Sequence, residues 1–161
     1  LVRVSEGYRL YYEARDGEGL ARILFAQGEA LDALERVGIA LEPSGQCLDV
    51  DGLPEPCWDS GGVSSPEVRR AQSALGREVY RLFYTGYGEL GFNLGFAASW
   101  EGESFERFAY NPVIASEAVE RQASNIRQGE RYLLFYEERT SNTLRGIALA
   151  INAPEAPSEH F

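Results

Sequence analysis

The 161-residue sequence contains no lysine: all fifteen of its basic residues are arginine. This absence excludes enzymes that form a Schiff base through lysine and nucleotide sites built on a P-loop lysine. The sequence has a single histidine, His160, so neither a Ser/His/Asp triad nor a Cys/His pair is a credible arrangement. A zinc site, which normally needs four ligands, is not expected for the same reason.

Positive charge is also scarce, because fifteen arginines stand against 25 acidic residues and give a formal net charge of −10. Phosphate backbones and anionic membranes both require clustered basic residues, so we expect neither nucleic acid nor a membrane as partner. No apolar run approaches the ~18 residues of a membrane-spanning helix, and no basic leader with an apolar core is present. We therefore expect a cytoplasmic protein. The sequence begins at Leu1 without methionine, which leaves room for an upstream segment.

Cysteine is limited to Cys47 and Cys57, ten positions apart in the loop-like segment CLDVDGLPEPC. The two residues can form a disulfide or remain free thiols, and a disulfide would favour a secreted protein instead. Asp49 and Asp51 in this segment resemble the start of a calcium loop. The terminal glutamate of the twelve-residue calcium pattern is absent, however, so no metal is expected.

Glycine and aromatic residues are abundant, with seventeen glycines, nine tyrosines and eight phenylalanines, and this composition favours short strands and tight turns. One aromatic pentapeptide occurs three times, as YRLYY (8–12), YRLFY (80–84) and YLLFY (132–136). Thirteen residues after each leading tyrosine, a run of small and apolar residues begins. Each run has an alanine at the same offset, at Ala26, Ala98 and Ala150. Agreement at a fixed offset indicates an internal structural repeat.

The flanking residues extend this repeat to four strands. A short run containing arginine precedes each leading tyrosine, and charged strands follow the second run at 34–37 and 105–108. Four short strands in meander order form one blade of a β-propeller. We therefore predict one all-β domain over residues 1–161, a β-propeller of four-stranded antiparallel blades with about three blades in this chain. An ordinary β-sandwich is the alternative.

Three blades do not close a ring, since propellers have about four to eight. An open stack would expose blade faces and strand edges, which proteins generally protect. We therefore expect either a homo-oligomer or a missing remainder that completes the propeller.

A series of segments between residues 58 and 113 resembles one known family. They are WDSGGVSSPEV (58–68), YRLFYTG (80–86), NLGFAAS (93–99), Trp100-Glu101-Gly102, FERF (105–108) and Asn111-Pro112-Val113. Together they resemble the five-bladed propeller glycosidase group, which includes arabinanases, levansucrases, invertases and mannoside phosphorylases. The resemblance implies a carbohydrate ligand at the mouth of a central funnel, glycosidic bonds cleaved by hydrolysis or phosphorolysis, and no cofactor. A non-catalytic sugar-binding or assembly propeller is the alternative.

Carried over by position, the resemblance implies Asp59 and Glu120 as the acid/base carboxylates, since glycoside hydrolysis needs two carboxyls across the scissile bond. The alternative roles are structural: Asp59 would cap the turn at 60–62, and Glu120 would pair with Arg121. The sequence also departs from the family. It has Ser65-Pro66 where many members have Asp-Pro, and it lacks the Glu-Gly-Pro segment common around the general acid.

Residues near these acids are candidates for substrate binding. Trp58 would stack on the apolar face of a sugar ring. Glu67 would either point into the funnel or, as we favour, pair with Arg69 on the same face of an alternating strand. Arginine and asparagine would donate to sugar hydroxyls or to a phosphate. The predicted set is Trp58, Glu67, Arg69, Arg121, Asn125 and Arg127.

Overall fold

A computed structural model describes residues 1–48, 51–73, 75–89, 91–115, 121–128, 131–139 and 145–151. Regular structure within these ranges consists of β-strands, and their pairings are antiparallel except for one parallel bridge. None of these residues belongs to a helix long and apolar enough to cross a membrane. The predicted all-β class is confirmed.

The first four strands form an antiparallel meander, which we call blade 1. They are β1 (Val2–Val4), β2 (Gly7–Arg15), β3 (Ala21–Gly28) and β4 (Glu35–Leu41). Tyr11 on β2 lies opposite Phe25 on β3, and both side chains are buried, as expected for aromatic residues on a pleated surface. The turn between them is closed by Asp16, whose Oδ1 accepts the backbone N–H of Leu20 at 2.9 Å.

A short hairpin separates this blade from the next. It pairs β5 (Gln46–Leu48) with β6 (Pro54–Pro56). Cys47 and Cys57 form a disulfide here, which decides between the two alternatives left open by the sequence. Cys57 is buried, so the bridge ties the exposed hairpin to the body of the protein.

The second meander, blade 2, contains the longest strands. They are β7 (Gly62–Gln72), β8 (Glu78–Gly88), β9 (Gly91–Ser99) and β10 (Glu106–Arg107). Tyr84 on β8 lies opposite Gly95 on β9. A Cβ at Gly95 would lie 2.4 Å from the Cζ of Tyr84, so this position accepts no side chain while the ring stays in place. The small residues of the third strand of the blade therefore make room for the aromatic residues of the second.

The third meander, blade 3, has three described strands. They are β11 (Arg121–Gln128), β12 (Arg131–Arg139) and β13 (Arg145–Ile151). Residues 152–161 lie outside the described part of the chain. The prediction of about three propeller blades is confirmed, and the sandwich alternative is not.

The blades pack face to face, with a separate hydrophobic core at each junction. Between blades 1 and 2 the core includes Tyr11, Phe25, Leu82 and Tyr84, and a single parallel bridge joins Ala21 to Gly62. Between blades 2 and 3 a smaller core is formed by Leu94, Ala123 and Leu134, with Phe83, Ile114, Tyr136 and Ala150 packed against it. The first strand of blade 2, β7, contacts the first strands of both neighbours, β1 and β11. These three strands are the inner strands of the stack.

Among the residues that the structure describes, nothing covers the apolar far side of blade 3. Ile147, Leu149 and Ile151 occupy alternate positions of β13 and are 83, 48 and 53% exposed. Ile126 on β11 is 48% exposed and belongs to the same row as Leu133 and Ile151 in the strand register. The expected exposure of a blade face is therefore present on the described residues of this blade.

Candidate functional site

Asp59 lies in the turn that leads into β7, and its side chain is completely buried. Its Oδ2 accepts a hydrogen bond from Nε of Arg107 at 2.9 Å, and Nη2 of Arg107 lies 2.9 Å from the same oxygen. The hydroxyl of Tyr84 donates to this oxygen at 3.4 Å. The other oxygen, Oδ1, is buried without a hydrogen-bond partner among the described residues. Removing one member of a buried ion pair such as Asp59–Arg107 is strongly destabilising, because the other charge is left uncompensated.

Tyr84 and Arg107 extend this cluster. Arg107 also donates to the backbone carbonyl of Glu42, and its guanidinium lies 6.0 Å from the centre of the Tyr84 ring. Burial, and next the charge of Asp59, raise the pKa of the Tyr84 hydroxyl above its usual value, so the phenol stays protonated and acts as a donor. Asn111 donates to the same hydroxyl at 3.4 Å. The cluster joins the start of blade 2 to its last strand.

Packing around Asp59 leaves no space for a ligand. A Cβ at Gly86 would lie 2.5 Å from Cβ of Asp59 and 2.4 Å from Cζ3 of Trp58. The half-buried ring of Trp58 packs 5.8 Å from the Tyr84 ring, against the core between blades 1 and 2. The part of the Trp58 ring that packs on Tyr84 is therefore not available for stacking on a sugar. The turn itself is closed by the backbone N–H of Gly62, which donates to the carbonyl of Asp59 at 3.2 Å.

Glu120 falls outside the described residues, so its separation from Asp59 is not described. The pairing of these two carboxylates across a glycosidic bond stays a prediction. Arg121 and Arg127 both lie on β11, but their side chains are outside the description.

Three other predicted residues do meet, on the inner strands of two blades. Glu67 on β7 accepts a hydrogen bond from Nε of Arg69 at 2.5 Å, which confirms the favoured pairing on one face of the strand. Its second oxygen accepts a hydrogen bond from Nδ2 of Asn125 on β11. Asn125 is 5% exposed, whereas the Arg69 side chain is 46% exposed. The cluster therefore runs from the junction of blades 2 and 3 to the solvent.

A bulge in β7 sets the position of Glu67. The register with β8 shifts between Ser64 and Glu67, and Ser65 has a φ of 50°, in the left-handed region that non-glycine residues seldom adopt. Pro66 has no N–H to contribute to the ladder, which suits a bulge. Bulges redirect the side chains that follow them, and strained backbone often accompanies functional sites. Pro66 within a strand pattern was the available sequence signal for this irregularity.

A groove of about 540 Å³ runs between β1 and β7. Its polar lining consists of Arg3, Glu67, Arg69 and Arg70, and apolar residues such as Val68 complete it. Arg3, Arg70 and, at the buried cluster, Arg107 were not among the predicted site residues. The arginine that precedes each leading tyrosine was visible in the repeat and could have indicated the first two.

Comparison with known proteins supports the fold. No protein-family model and no curated protein matches the sequence. Among solved structures, a complex of BT0996 with RGII matches with a TM-score of 0.68 and 17% identity, covering 94% of this chain and 48% of that protein. A structure named "Glycoside hydrolase" matches with a TM-score of 0.67 and 16% identity, and the match covers the same shares of the two chains. The GH32 β-fructofuranosidase BmSUC1 of Bombyx mori matches with a TM-score of 0.62 and 14% identity, covering 92% of this chain and 30% of that protein.

This chain has the fold of part of a five-bladed glycoside hydrolase propeller. The resemblance found in the sequence is thus confirmed for the fold. At 14–17% identity these structures show the fold alone. The chain spans less than half the length of each of them.

Proposed function

We propose that this chain is part of a carbohydrate-active propeller, which binds a saccharide along its inner strands and cleaves glycosidic bonds by hydrolysis or phosphorolysis. The observation that carries the proposal is the meeting of Glu67, Arg69 and Asn125 from two blades beside a solvent-open groove. The propeller structures that share the fold include one named "Glycoside hydrolase" and a β-fructofuranosidase, which supports the substrate class.

The cluster has the chemistry that sugar recognition requires. The Glu67 carboxylate accepts hydrogen bonds from hydroxyl groups, and the guanidinium of Arg69 donates them. The Glu67 carboxylate can accept a further hydrogen bond from a sugar hydroxyl while it keeps those from Arg69 and Asn125, so no charge would be left unpaired. Two carboxyls are needed for cleavage. Asp59 and Glu120 are the acid/base pair of the proposal, and Asp59 would require the cover formed by Trp58 and Arg107 to open.

Sugar binding without cleavage is the second candidate. It is favoured by the complete burial of Asp59 and by its ion pair with Arg107, which give this carboxylate a structural task in the closed conformation. On this alternative the inner-strand cluster binds saccharide and the scaffold carries no acid/base pair.

For either candidate, the exposed apolar face of blade 3 needs a cover. We propose that a missing remainder of the propeller, or a second copy of the chain, covers the exposed face of blade 3. We also propose a secreted location, because disulfides such as Cys47–Cys57 persist in oxidising compartments.

A panel of aryl-glycosides, assayed with and without phosphate, together with calorimetric titration of the matching oligosaccharides, tests the proposal. In the variant Glu67→Gln we expect binding and turnover to fall by about tenfold or more, since a charged hydrogen-bond partner is lost. The matched control is Glu13→Gln, because Glu13 pairs with Arg15 at 2.8 Å two positions along β2, as Glu67 pairs with Arg69. The control is expected to behave as the parent.

Turnover that is lost in Glu67→Gln and kept in the control would support the enzyme. Binding without turnover for every glycoside would support the sugar-binding alternative. A chain that neither binds nor turns over any saccharide would refute both.

A further inference from the structure

The inner strands carry a charge opposite to that of the rest of the protein. Strands β1, β7 and β11 contain five arginines, Arg3, Arg69, Arg70, Arg121 and Arg127, and a single acid, Glu67, so their formal charge is +4. The whole chain has a net charge of −10, and the ten arginines and 24 acids outside these strands therefore give −14. Formal positive charge is therefore concentrated on the inner strands of an otherwise acidic chain.

Three of these arginines line the groove between β1 and β7 and have exposed side chains. Arg3 is exposed and makes no ion pair within the described part of the chain. Arg69 uses its Nε for Glu67, and 46% of its side chain remains exposed. Arg70 is committed elsewhere, since it pairs with Glu78 and donates to the backbone carbonyl of Arg3 at 2.7 Å. Arg3 is therefore the arginine of the groove that has no ion pair among the described residues, and Arg69, paired with Glu67, adds a partly exposed side chain beside it.

A neutral sugar does not require several arginines in its binding groove. Its hydroxyl groups form hydrogen bonds with amide and carboxylate groups, and its ring faces pack on aromatic or aliphatic side chains. Arginine, by contrast, offers a planar fork of donors that matches the two oxygens of a carboxylate or a phosphate. A groove in which one sign of charge predominates, here three arginines against Glu67, also raises the local concentration of ligands of the other sign. An acidic protein that places its arginines here would attract anions to the groove and repel them elsewhere.

We infer that the inner-strand groove selects a saccharide that brings an oxyanion to Arg3 and Arg69. This inference rests on the proposed carbohydrate function and narrows its substrate class. Two sources of the oxyanion are chemically equivalent at the guanidinium groups: the carboxylate of a uronic acid unit, and an inorganic phosphate bound beside a neutral sugar.

Three probes distinguish these sources by calorimetric titration of the full chain. They are trigalacturonic acid, its fully methyl-esterified form as the neutral match, and inorganic phosphate with and without a neutral oligosaccharide. Each is titrated at about 50 mM and about 500 mM salt, because exposed charge pairs are screened at the higher concentration. The variant is Arg3→Gln with Arg69→Gln, and the matched control is Arg15→Gln, whose arginine also pairs with a glutamate two positions away, at the exposed end of β2. Circular dichroism checks that each variant is folded.

A carboxylate site predicts that trigalacturonic acid binds at least about tenfold more tightly than its methyl ester at low salt. The advantage should disappear in the double variant and remain in Arg15→Gln. If phosphate binds and its binding is lost in the double variant, the groove is an oxyanion site and its ligand is phosphate. Equal affinity for the acid and its ester, with no phosphate binding, would overturn the inference and leave the proposed function standing. Absence of binding by any probe would remove the proposed function as well.

Discussion

Replacing Asp59 with asparagine separates a structural role of this carboxylate from a catalytic one. Asp59 is 0% exposed and shares its Oδ2 with Arg107 at 2.9 Å, while the Arg107 side chain is 27% exposed. Breaking a buried ion pair by removing one charge typically costs about 3–5 kcal/mol, and the partial exposure of Arg107 places the expected cost near the lower figure. For a domain of this size, about 3 kcal/mol lowers the midpoint of thermal unfolding by roughly 6–12 °C.

Urea unfolding followed by circular dichroism measures this change, with Asp16→Asn as the control. Asp16 also binds an arginine, Arg22, at 2.5 Å, but its side chain is 33% exposed, so solvent screens the pair and its loss should lower the stability far less. The double variant with Arg107→Gln should recover part of the loss, because both members of the pair are then neutral. A stability of Asp59→Asn within about 0.5 kcal/mol of the parent would refute the structural reasoning. If turnover were abolished in that stable variant, Asp59 would be a catalytic residue.

Three further expectations concern the scaffold. Leu149→Glu should suppress concentration-dependent self-association of the chain, measured by light scattering, because it places a charge on the uncovered face of blade 3. Leu75→Glu is the control and should not suppress it, because Leu75 lies in a turn between strands. Reduction of the Cys47–Cys57 disulfide should lower the free energy of unfolding by about 2–3 kcal/mol, because the unfolded chain is then released from a short closed loop. A change near zero in urea titrations would contradict this. Burial raises the pKa of Tyr11 to about 12, so the stability it contributes is complete below pH ~10 and is lost as the pH rises from 10 towards 12. Tyr11→Phe should make that part of the pH–stability profile less steep, and an unchanged slope would contradict the assignment.

The repeat made the fold predictable. A pentapeptide and an alanine at a fixed offset report local strand geometry, which is determined within each blade, and Tyr84 opposite Gly95 follows from that register. The Glu67–Arg69 pair was predictable for the same reason, because residues two apart on a strand share a face. Such contacts depend on few residues that lie close in the sequence.

Contacts between distant segments were not predictable. Arg107 reaches Asp59 across 48 positions because β10 pairs with β9 at one particular register, and no pattern in the sequence encodes that closure. The hydrogen bond from Asn125 to Glu67 depends on how blade 3 packs on blade 2. The resemblance therefore implied an acid/base carboxylate at Asp59, although the fold buries its side chain completely.

The most direct test of the central claim is calorimetric titration of saccharides into the parent chain, Glu67→Gln and Glu13→Gln. The account predicts that saccharide binding falls by about tenfold or more in Glu67→Gln and is unchanged in Glu13→Gln, because only Glu67 lines the inner-strand groove. Equal affinity of all three proteins would show that saccharide binds elsewhere and would contradict the account.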